Sequence, residues 1–307
     1  MPAHSRSWFD IHPQVTKALR ADEPVVALES TVLTHGLPRP VNLELARRME
    51  AEIRSEQAAP ATIAIYKGNV KIGLSDVELE RLALDPQAMK VSRRDLAVAA
   101  TGVRNGGTTV AATMYIAHAA GIKVFATGGI GGVHRGDSGD VSADLAELSQ
   151  TPVAVVCAGA KSILDLPRTL EWLETGGVPV LGWQTDTFPA FFSRSSGLPI
   201  HARVDTVGEA AAITLKHWGM GLRSAVLLCV PCPEETAIPF EQADAFISEA
   251  EDEAARRSIR GKALTPFLLD YLSEKTSGAT LQSNLALLRQ NAHVAANLAK
   301  AIQYQDS

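Results

Sequence analysis

The chain has 307 residues, of which 46% are hydrophobic and 21% charged, as is typical of a globular protein with a buried core. Its formal net charge of −5 argues against a general nucleic-acid-binding surface. The longest apolar runs have the length of strands rather than membrane spans, and residues 1–10 lack the apolar core of a signal peptide, so we expect a cytoplasmic protein.

Predicted strands and helices alternate along the chain. In the first part of the chain, the pattern predicts a helix near residues 13–21, a strand at 24–29, a helix capped by Asn42 that runs to about 57, a hairpin of strands at 61–66 and 70–73, and a helix from Ser75 to 84. In the middle, it predicts a helix at 108–120, a strand at 124–127, a strand at 153–160 and a helix that begins at Ser162. In the last part, it predicts a strand at 178–183, a helix at 207–218, a strand at 224–230, and helices at 240–257 and 281–302.

This alternation predicts the fold class and the domain organisation. We expect an α/β protein with three α/β/α layers around a central mixed, largely parallel sheet. The chain shows no internal repeat and no Ser/Gly linker, so we expect a single domain over residues 1–307, with 1–12 as a variable lead-in.

Polar groups follow several predicted strands. Glu29, the loop at 128–144, Lys161 and Gln184 each come at or just after the end of one. Carboxyl ends of parallel strands meet at one edge of the sheet, where such folds hold their active sites. The sequence therefore predicts one crevice that contains these groups.

Lys161 and Glu29 are the candidates for chemistry in that crevice. Desolvation at the end of a buried strand favours the neutral, nucleophilic form of a lysine. Alternatively, the stem of Lys161 lines the strand end while its head reaches water. Glu29 is a candidate general acid or base if burial raises its pKa, and otherwise it caps a loop or pairs with an arginine.

The loop that follows residue 127 combines glycines with carboxylates. The glycines of residues 128–136 would let backbone N–H groups approach an anion, or would form a tight turn. Asp137, Asp140 and Asp144 suit a hard divalent cation such as Mg²⁺ or Mn²⁺. The alternatives are a helix cap at Ser142 and a solvated acidic turn.

Two further segments are candidates for substrate binding. Residues 90–95 (KVSRRD) form a basic cluster that suits a phosphate, or a surface charge cluster at a helix start. Residues 105–109 open a buried helix whose N-terminus could add N–H donors to the same anion. The aromatic residues of 182–192 either form the wall of a pocket for a base or ring, or cover the core or a subunit contact.

The three cysteines do not form a convincing reactive motif. Cys229 and Cys232 have C-x-x-C spacing but lack the helix start of a redox site and the second pair of a zinc site. We expect them and Cys157 to be structural.

Six collinear segments carry a family resemblance: residues 26–31 (VALEST), 90–96 (KVSRRDL), 127–136 (TGGIGGVHRG), 140–145 (DVSADL), 157–162 (CAGAKS) and 188–192 (FPAFF). Together they resemble the pseudouridine-5'-phosphate glycosidase family, which includes the indigoidine synthase A-like proteins. The resemblance covers residues 13–304, nearly the whole chain.

The resemblance implies reversible cleavage of pseudouridine 5'-phosphate to uracil and ribose 5-phosphate by a homotrimer. Lys161 corresponds to the family's lysine that forms an imine with C1' of the opened ribose, while uracil C5 departs with its electrons. Glu29 corresponds to the proton donor, acting on the ring oxygen or on the base carbon. Asp140 corresponds to the ligand of one Mn²⁺ per subunit, with water completing much of the shell.

The resemblance also implies substrate-binding residues. The corresponding positions are Lys90, Val110, Ser142, Ala143, Asp144 and Asn284. Lys90 would balance the phosphate charge, Val110 would contact substrate at a helix start, and Asn284 would face the uracil.

Two segments depart from the family pattern, and two other functions stay open. The loop at 136–140 is shorter than usual, and Cys229 and Cys232 lie in a run that replaces an apolar-Asn-Pro sequence. One alternative is an imine-forming lyase or ligase acting on another sugar phosphate, as in the indigoidine branch. The other is a non-catalytic sugar-phosphate-binding protein, against which the combination of Glu29, Asp140 and Lys161 argues, because binding alone needs no buried nucleophile.

Overall fold

A computed structural model of the chain describes residues 8–136, 139–259 and 264–306. Its centre is one mixed sheet of eleven strands. The strands of the protein are β1 (Phe9–Ile11), β2 (Val25–Leu28), β3 (Ala59–Tyr66), β4 (Asn69–Ile72), β5 (Met89–Val91), β6 (Gly106–Thr108), β7 (Val124–Ala126), β8 (Val133–His134), β9 (Ala154–Cys157), β10 (Leu164–Asp165), β11 (Val180–Trp183), β12 (Ala202–Val204) and β13 (Val226–Cys229). Strands β8 and β10 form a separate antiparallel pair.

The order across the sheet is β1-β4-β3-β2-β7-β9-β13-β11-β12, with β6 also paired to β3 and β5 paired to β6. The pairings within β3-β2-β7-β9-β13-β11-β12 are parallel, whereas β3 pairs antiparallel with β4 and β6. The predicted mixed, largely parallel sheet is therefore confirmed. Every residue of β2, β7, β9 and β13 is buried, as expected for parallel strands covered on both faces.

Helices flank this sheet. They are α1 (Pro13–Arg20), α2 (Val41–Ser55), α3 (Asp76–Leu84), α4 (Leu96–Ala100), α5 (Val110–Ala120), α6 (Ala143–Leu148), α7 (Leu166–Thr175), α8 (Val207–Gly219), α9 (Phe240–Arg256), α10 (Leu264–Lys275) and α11 (Ala279–Asp306). Helix α11 packs between α2 and α8 and lies on β2, β7 and β9, while α5 packs with α6 against β2, β3 and β7. The polar groups that follow β2, β7 and β9 therefore emerge at one edge, between two helical layers.

The helix after Lys161 begins later than the sequence pattern predicts. It starts at Leu166 rather than at Ser162. Asp165 caps it by accepting a hydrogen bond from the Arg168 N–H at 3.0 Å. Ser162 and Ile163 lie in a turn, and Leu164 and Asp165 form β10, which pairs with β8, so the helix cannot begin before Leu166.

Asn42 lies inside α2 and does not cap it, contrary to the sequence prediction. Its side chain is buried, and Nδ2 donates to the carbonyl of Leu33 at 2.7 Å and to that of Ala83 at 2.8 Å. The Asn42 side chain therefore connects α2 to the segments that contain Leu33 and Ala83. Pro40 occupies the N-cap position of α2.

Two short strands lie where other structure is expected. Strand β1 falls within the predicted lead-in of residues 1–12 and pairs in parallel with β4. Strand β6 ends at Thr108, where the sequence pattern predicts the start of the helix at 108–120. The helix begins at Val110 instead, and Thr109 caps it by accepting a hydrogen bond from the Ala112 N–H. Within the part of the chain that the structure describes, no helix is both long and apolar enough to cross a lipid bilayer.

Candidate active site

Two adjoining spaces open at the carboxyl edge of the sheet, an outer cavity of about 370 Å³ and an inner chamber of about 50 Å³. Glu29, Thr31, Lys90 and Lys161 line both of them. The outer cavity is also lined by Ser92, Arg94, Thr109, Val110, Gly131, His134, Asp140, Val141, Ser142, Ala143, Asp144, Ile163 and Leu164. The inner chamber is also lined by Val32, His35, Gly36, Gly128, Gly129, Phe191, Leu269 and Asn284. The nine predicted site residues thus come together here, whereas Gln184 lines neither space.

Glu29 follows β2 and is only 8% exposed. Its Oε1 accepts a hydrogen bond from the Thr127 hydroxyl. Burial raises the pKa of Glu29, and Asp144 adds to that effect, while Lys161, Thr127 and Lys90 oppose it. A carboxyl group whose pKa is raised toward neutrality is well suited to donate a proton.

Lys161 stands on a turn fixed by its backbone. Its N–H donates to the carbonyl of Ile130 at 3.1 Å, and its own carbonyl accepts from the Leu164 N–H at 3.0 Å. Its charge lowers the pKa of Glu29, so the two side chains interact electrostatically where the two spaces meet. The pair can supply a nucleophile and a proton to one bound substrate.

Asp144 connects two segments that form the outer cavity. It is buried, and its two carboxylate oxygens accept from the Ala111 N–H at 3.0 Å and the Gly131 N–H at 2.8 Å. Ser142 caps α6 by accepting from the Asp144 N–H at 3.2 Å, as one sequence interpretation proposed. Because both carboxylate oxygens already accept backbone hydrogen bonds, Asp144 is better suited to hold the loop than to bind a cation.

The glycines after β7 serve close packing rather than an anion cradle. A Cβ at Gly131 would lie 2.3 Å from Ser142 Oγ, and one at Gly132 would lie 2.3 Å from Thr169 Oγ1. The Gly131 N–H is taken by Asp144, and the Val133 N–H donates to Thr169 Oγ1 at 3.0 Å. The N–H groups of Gly131 and Val133 are therefore occupied within the protein and are not available to a bound anion.

Asp140 offers one carboxylate to a metal. Its side chain is 49% exposed, and Oδ2 lies 3.9 Å from Nε2 of His134. Asp137, the third carboxylate of the predicted cluster, falls outside the described residues. The described residues contain no group of three or more His, Cys, Asp or Glu side chains suited to a metal ion. These residues fit only a cation that keeps most of its water, as Mg²⁺-like ions do.

The basic cluster divides between the cavity and the fold. Arg93 forms an ion pair with the buried Glu147 and stacks over the ring of Tyr115. Lys90, Ser92 and Arg94 line the outer cavity instead. Three of the predicted phosphate-binding groups thus border the cavity, and Arg93 serves packing.

Asn284 extends from α11 into the inner chamber. It is 7% exposed, and its Oδ1 is buried without a hydrogen-bond partner among the described residues. A buried amide oxygen left unpaired is costly unless a ligand supplies the donor. The geometry therefore supports the expectation that Asn284 meets a polar edge of the substrate.

His35 is a site residue that the sequence pattern did not indicate. It lines the inner chamber, and its Nδ1 lies 2.7 Å from the hydroxyl of Thr34. Burial lowers the pKa of His35, and the positive charge of Lys90 lowers it further, so the ring is neutral near pH 7. No spacing or motif in the sequence distinguishes this histidine from a core residue.

The aromatic residues near 190 divide in the same way. Phe191 lines the inner chamber, whereas Phe188 and Phe192 are buried in the core and line neither space. Phe191 therefore forms part of a pocket wall, while Phe188 and Phe192 cover the core. Phe191 has a left-handed backbone with φ of 60°, a conformation that costs an L-residue about 1–2 kcal/mol.

The cysteines are buried and free. Burial raises the pKa of the Cys232 thiol to about 11 and that of the Cys229 thiol well above its usual value. These thiols therefore stay protonated, which supports the structural interpretation.

The sequence and structure were compared with known proteins. The family model of the indigoidine synthase A like protein matches residues 14–301. A pseudouridine-5'-phosphate glycosidase of Solibacter usitatus is 52% identical over 295 residues, which is 95% of this chain and 99% of the relative. One of Caldanaerobacter subterraneus is also 52% identical, over 95% of this chain and 96% of the relative.

Solved structures with the same α/β fold match nearly the whole chain. The prealnumycin C-glycosynthase AlnA, in complex with ribulose 5-phosphate, is 38% identical with a TM-score of 0.90, covering 97% of this chain and 98% of that one. An indigoidine synthase A-like protein of Thermotoga maritima is 40% identical with a TM-score of 0.86, covering 91% of this chain and 93% of that one.

Proposed function

The chain belongs to the indigoidine synthase A-like family, and we propose that it reversibly cleaves the carbon–carbon glycosidic bond of pseudouridine 5'-phosphate, giving uracil and ribose 5-phosphate. The observation that carries the proposal is the placement of Glu29 and Lys161 where the outer cavity, which basic side chains line, meets a small chamber. The scissile bond of a C-nucleotide likewise joins a charged sugar phosphate to a small planar base.

The sugar phosphate fits the outer cavity. Lys90 and Arg94 supply positive charge there, and Ser92 and Thr109 add hydroxyl groups. Val110 is the first residue of α5 and lines the outer cavity, so the positive end of the helix dipole lies at the same space. The base then enters the inner chamber, where Asn284 offers its unpaired amide oxygen.

Lys161 acts as the nucleophile. When the C1'–O4' bond breaks, O4' takes a proton, and Nζ of neutral Lys161 bonds to C1' and then loses a proton. The C1'–C5 bond then breaks as the nitrogen lone pair forms a C=N bond, and the released electron pair stays on uracil C5, which takes a proton. Water hydrolyses the imine, releasing ribose 5-phosphate and the free lysine.

Glu29 supplies the protons that these steps need. Its raised pKa favours the protonated, proton-donating form of the carboxyl group. It lines both spaces, so the ring oxygen and the base carbon both lie on its side of the junction. Thr127 fixes the carboxyl group by its hydrogen bond.

We propose Asp140 as the one protein ligand of a largely hydrated Mn²⁺, one per subunit. Its exposed carboxylate faces the cavity that we assign to the sugar phosphate. Such an ion would supply positive charge to that substrate. EDTA should abolish turnover and Mn²⁺ should restore it. Asp140→Asn should raise the Mn²⁺ concentration that is needed for half-maximal activity. Full turnover in EDTA would contradict the assignment.

Incubation with pseudouridine 5'-phosphate, followed by chromatography of released uracil, tests the function. We expect release of uracil, and we expect the enzyme to form pseudouridine 5'-phosphate when it is supplied with ribose 5-phosphate and uracil. Among alternatives, an imine-forming ligase on another sugar phosphate is favoured by the likeness to AlnA, a C-glycosynthase. Turnover of another C-glycosyl phosphate, with none of this substrate, would favour that alternative.

Assembly and location follow from the family as further proposals. A homotrimer would have a native mass three times that of one chain, which light scattering measures. The three free, buried cysteines are compatible with the reducing cytoplasm.

A further inference from the structure

Phe191 occupies an unusual tight turn beside the inner chamber. Ala190 and Ser193 exchange hydrogen bonds, with N···O distances of 3.0 and 3.2 Å, so Phe191 and Phe192 form a two-residue turn. Phe191 has φ of 60°, in the left-handed region where glycine or asparagine is usual. A phenylalanine at this position indicates that its ring, rather than its backbone, is required.

Two glycines make room for this turn. A Cβ at Gly159 would lie 2.2 Å from the carbonyl oxygen of Pro189, and one at Gly129 would lie 2.7 Å from the ring of Phe191. Gly129 lies in the loop that follows β7, and Gly159 lies between β9 and Lys161. The Phe191 N–H donates to the Ala158 carbonyl at 3.0 Å, which fixes the turn to the Lys161 strand.

The rest of the inner chamber complements an aromatic wall. Val32 and Leu269 are apolar, and Asn284 contributes a buried amide oxygen without a partner among the described residues. Together with Phe191, these two apolar residues form an apolar side of the chamber, which is otherwise lined by polar and charged groups such as Glu29 and Lys161. A small space that combines an apolar side with a buried amide oxygen suits a planar ring with a polar edge.

We propose that Phe191 is a base-binding residue: its ring forms the wall against which the pyrimidine packs while the polar edge of the base meets Asn284. This inference rests on the proposed function, since it assigns the departing base to the inner chamber. The ring contributes to binding of the base and does not take part in imine formation at Lys161.

Phe192 provides a matched control. Its ring is buried and contacts that of Phe191 edge-to-face, with centroids 4.7 Å apart, yet it lines neither space. Phe191→Gly removes the ring and suits the left-handed backbone, so the variant keeps the turn. Phe192→Leu perturbs the same packing without changing the chamber.

The reaction run toward synthesis separates the two steps. With ribose 5-phosphate and uracil as substrates, Phe191→Gly should raise KM for uracil about tenfold or more, because base–aromatic packing contributes on that scale. Borohydride trapping of ribose 5-phosphate at Lys161 should keep the wild-type rate. Phe192→Leu should leave both quantities near wild type.

Three results would overturn the proposal. They are an unchanged KM for uracil in Phe191→Gly, an equal increase in Phe192→Leu, and a loss of trapping in Phe191→Gly that parallels the rise in KM. Failure of the wild type to form uracil or to be trapped would refute the proposed function itself, and this assignment with it.

Discussion

Replacement of Lys161 by arginine should lower kcat for uracil release from pseudouridine 5'-phosphate by at least about a thousandfold, because it removes the nucleophile. Arginine keeps the positive charge that faces Glu29, but its guanidinium stays protonated and cannot add to C1'. Loss of activity in this variant would therefore reflect lost chemistry rather than lost charge. Retention of a tenth of the wild-type kcat or more would exclude Lys161 as the nucleophile.

Lys90 is the matched control because it lines the same two spaces. Lys90→Arg keeps the charge that a phosphate needs, so we expect it to change KM more than kcat. Both variants are assayed for uracil under identical conditions. If Lys90→Arg were inactive and Lys161→Arg active, the assignment of the nucleophile to Lys161 would be wrong.

Replacement of Glu29 by glutamine should lower kcat by about 10²–10⁴-fold, the usual contribution of a general acid. Glutamine can still accept the hydrogen bond from Thr127, but it has no acidic proton to donate. A raised pKa in the folded state means that stability is lost as pH rises from the unfolded pKa through the folded one. Removing this carboxyl should therefore leave Tm at pH 7 equal or higher. If Glu29→Gln had a lower Tm than the wild type but the full wild-type activity per folded molecule, the role of Glu29 as the proton donor would be contradicted.

Thr127→Val supplies the pH test of the same assignment. The hydroxyl lowers the pKa of Glu29, so removing it should raise that pKa further. Since a proton donor works in its protonated form, activity falls as pH rises through this pKa. The alkaline limb of the kcat/KM profile should thus move to higher pH in Thr127→Val. A shift to lower pH would show that another group sets this limb.

The sheet was predictable because its strands are buried on both faces. Continuous apolar runs such as Val25–Leu28 and Val226–Cys229 indicate parallel strands directly. Local boundaries were harder, because two cap residues compete after Lys161. Asp165 caps α7, while Ser162 lies in a turn that precedes β10, and the pairing of β10 with β8 keeps the helix from starting earlier.

The proximity of Glu29 and Lys161 was predictable for a related reason. They follow β2 and β9, two parallel strands separated by β7, and the carboxyl ends of such strands meet at one edge of the sheet. The inner chamber was not predictable, because contacts between distant segments form it. Asn291, for example, holds the start of the glycine loop by donating to the Thr127 carbonyl at 2.8 Å, across 164 residues.

Borohydride reduction of the enzyme with ribose 5-phosphate, followed by peptide mass spectrometry, tests the central claim most directly. We predict a reduced sugar-phosphate adduct on the peptide that contains Lys161, and none in Lys161→Arg. An adduct confined to Lys90, or no adduct in an enzyme that releases uracil, would contradict the imine mechanism.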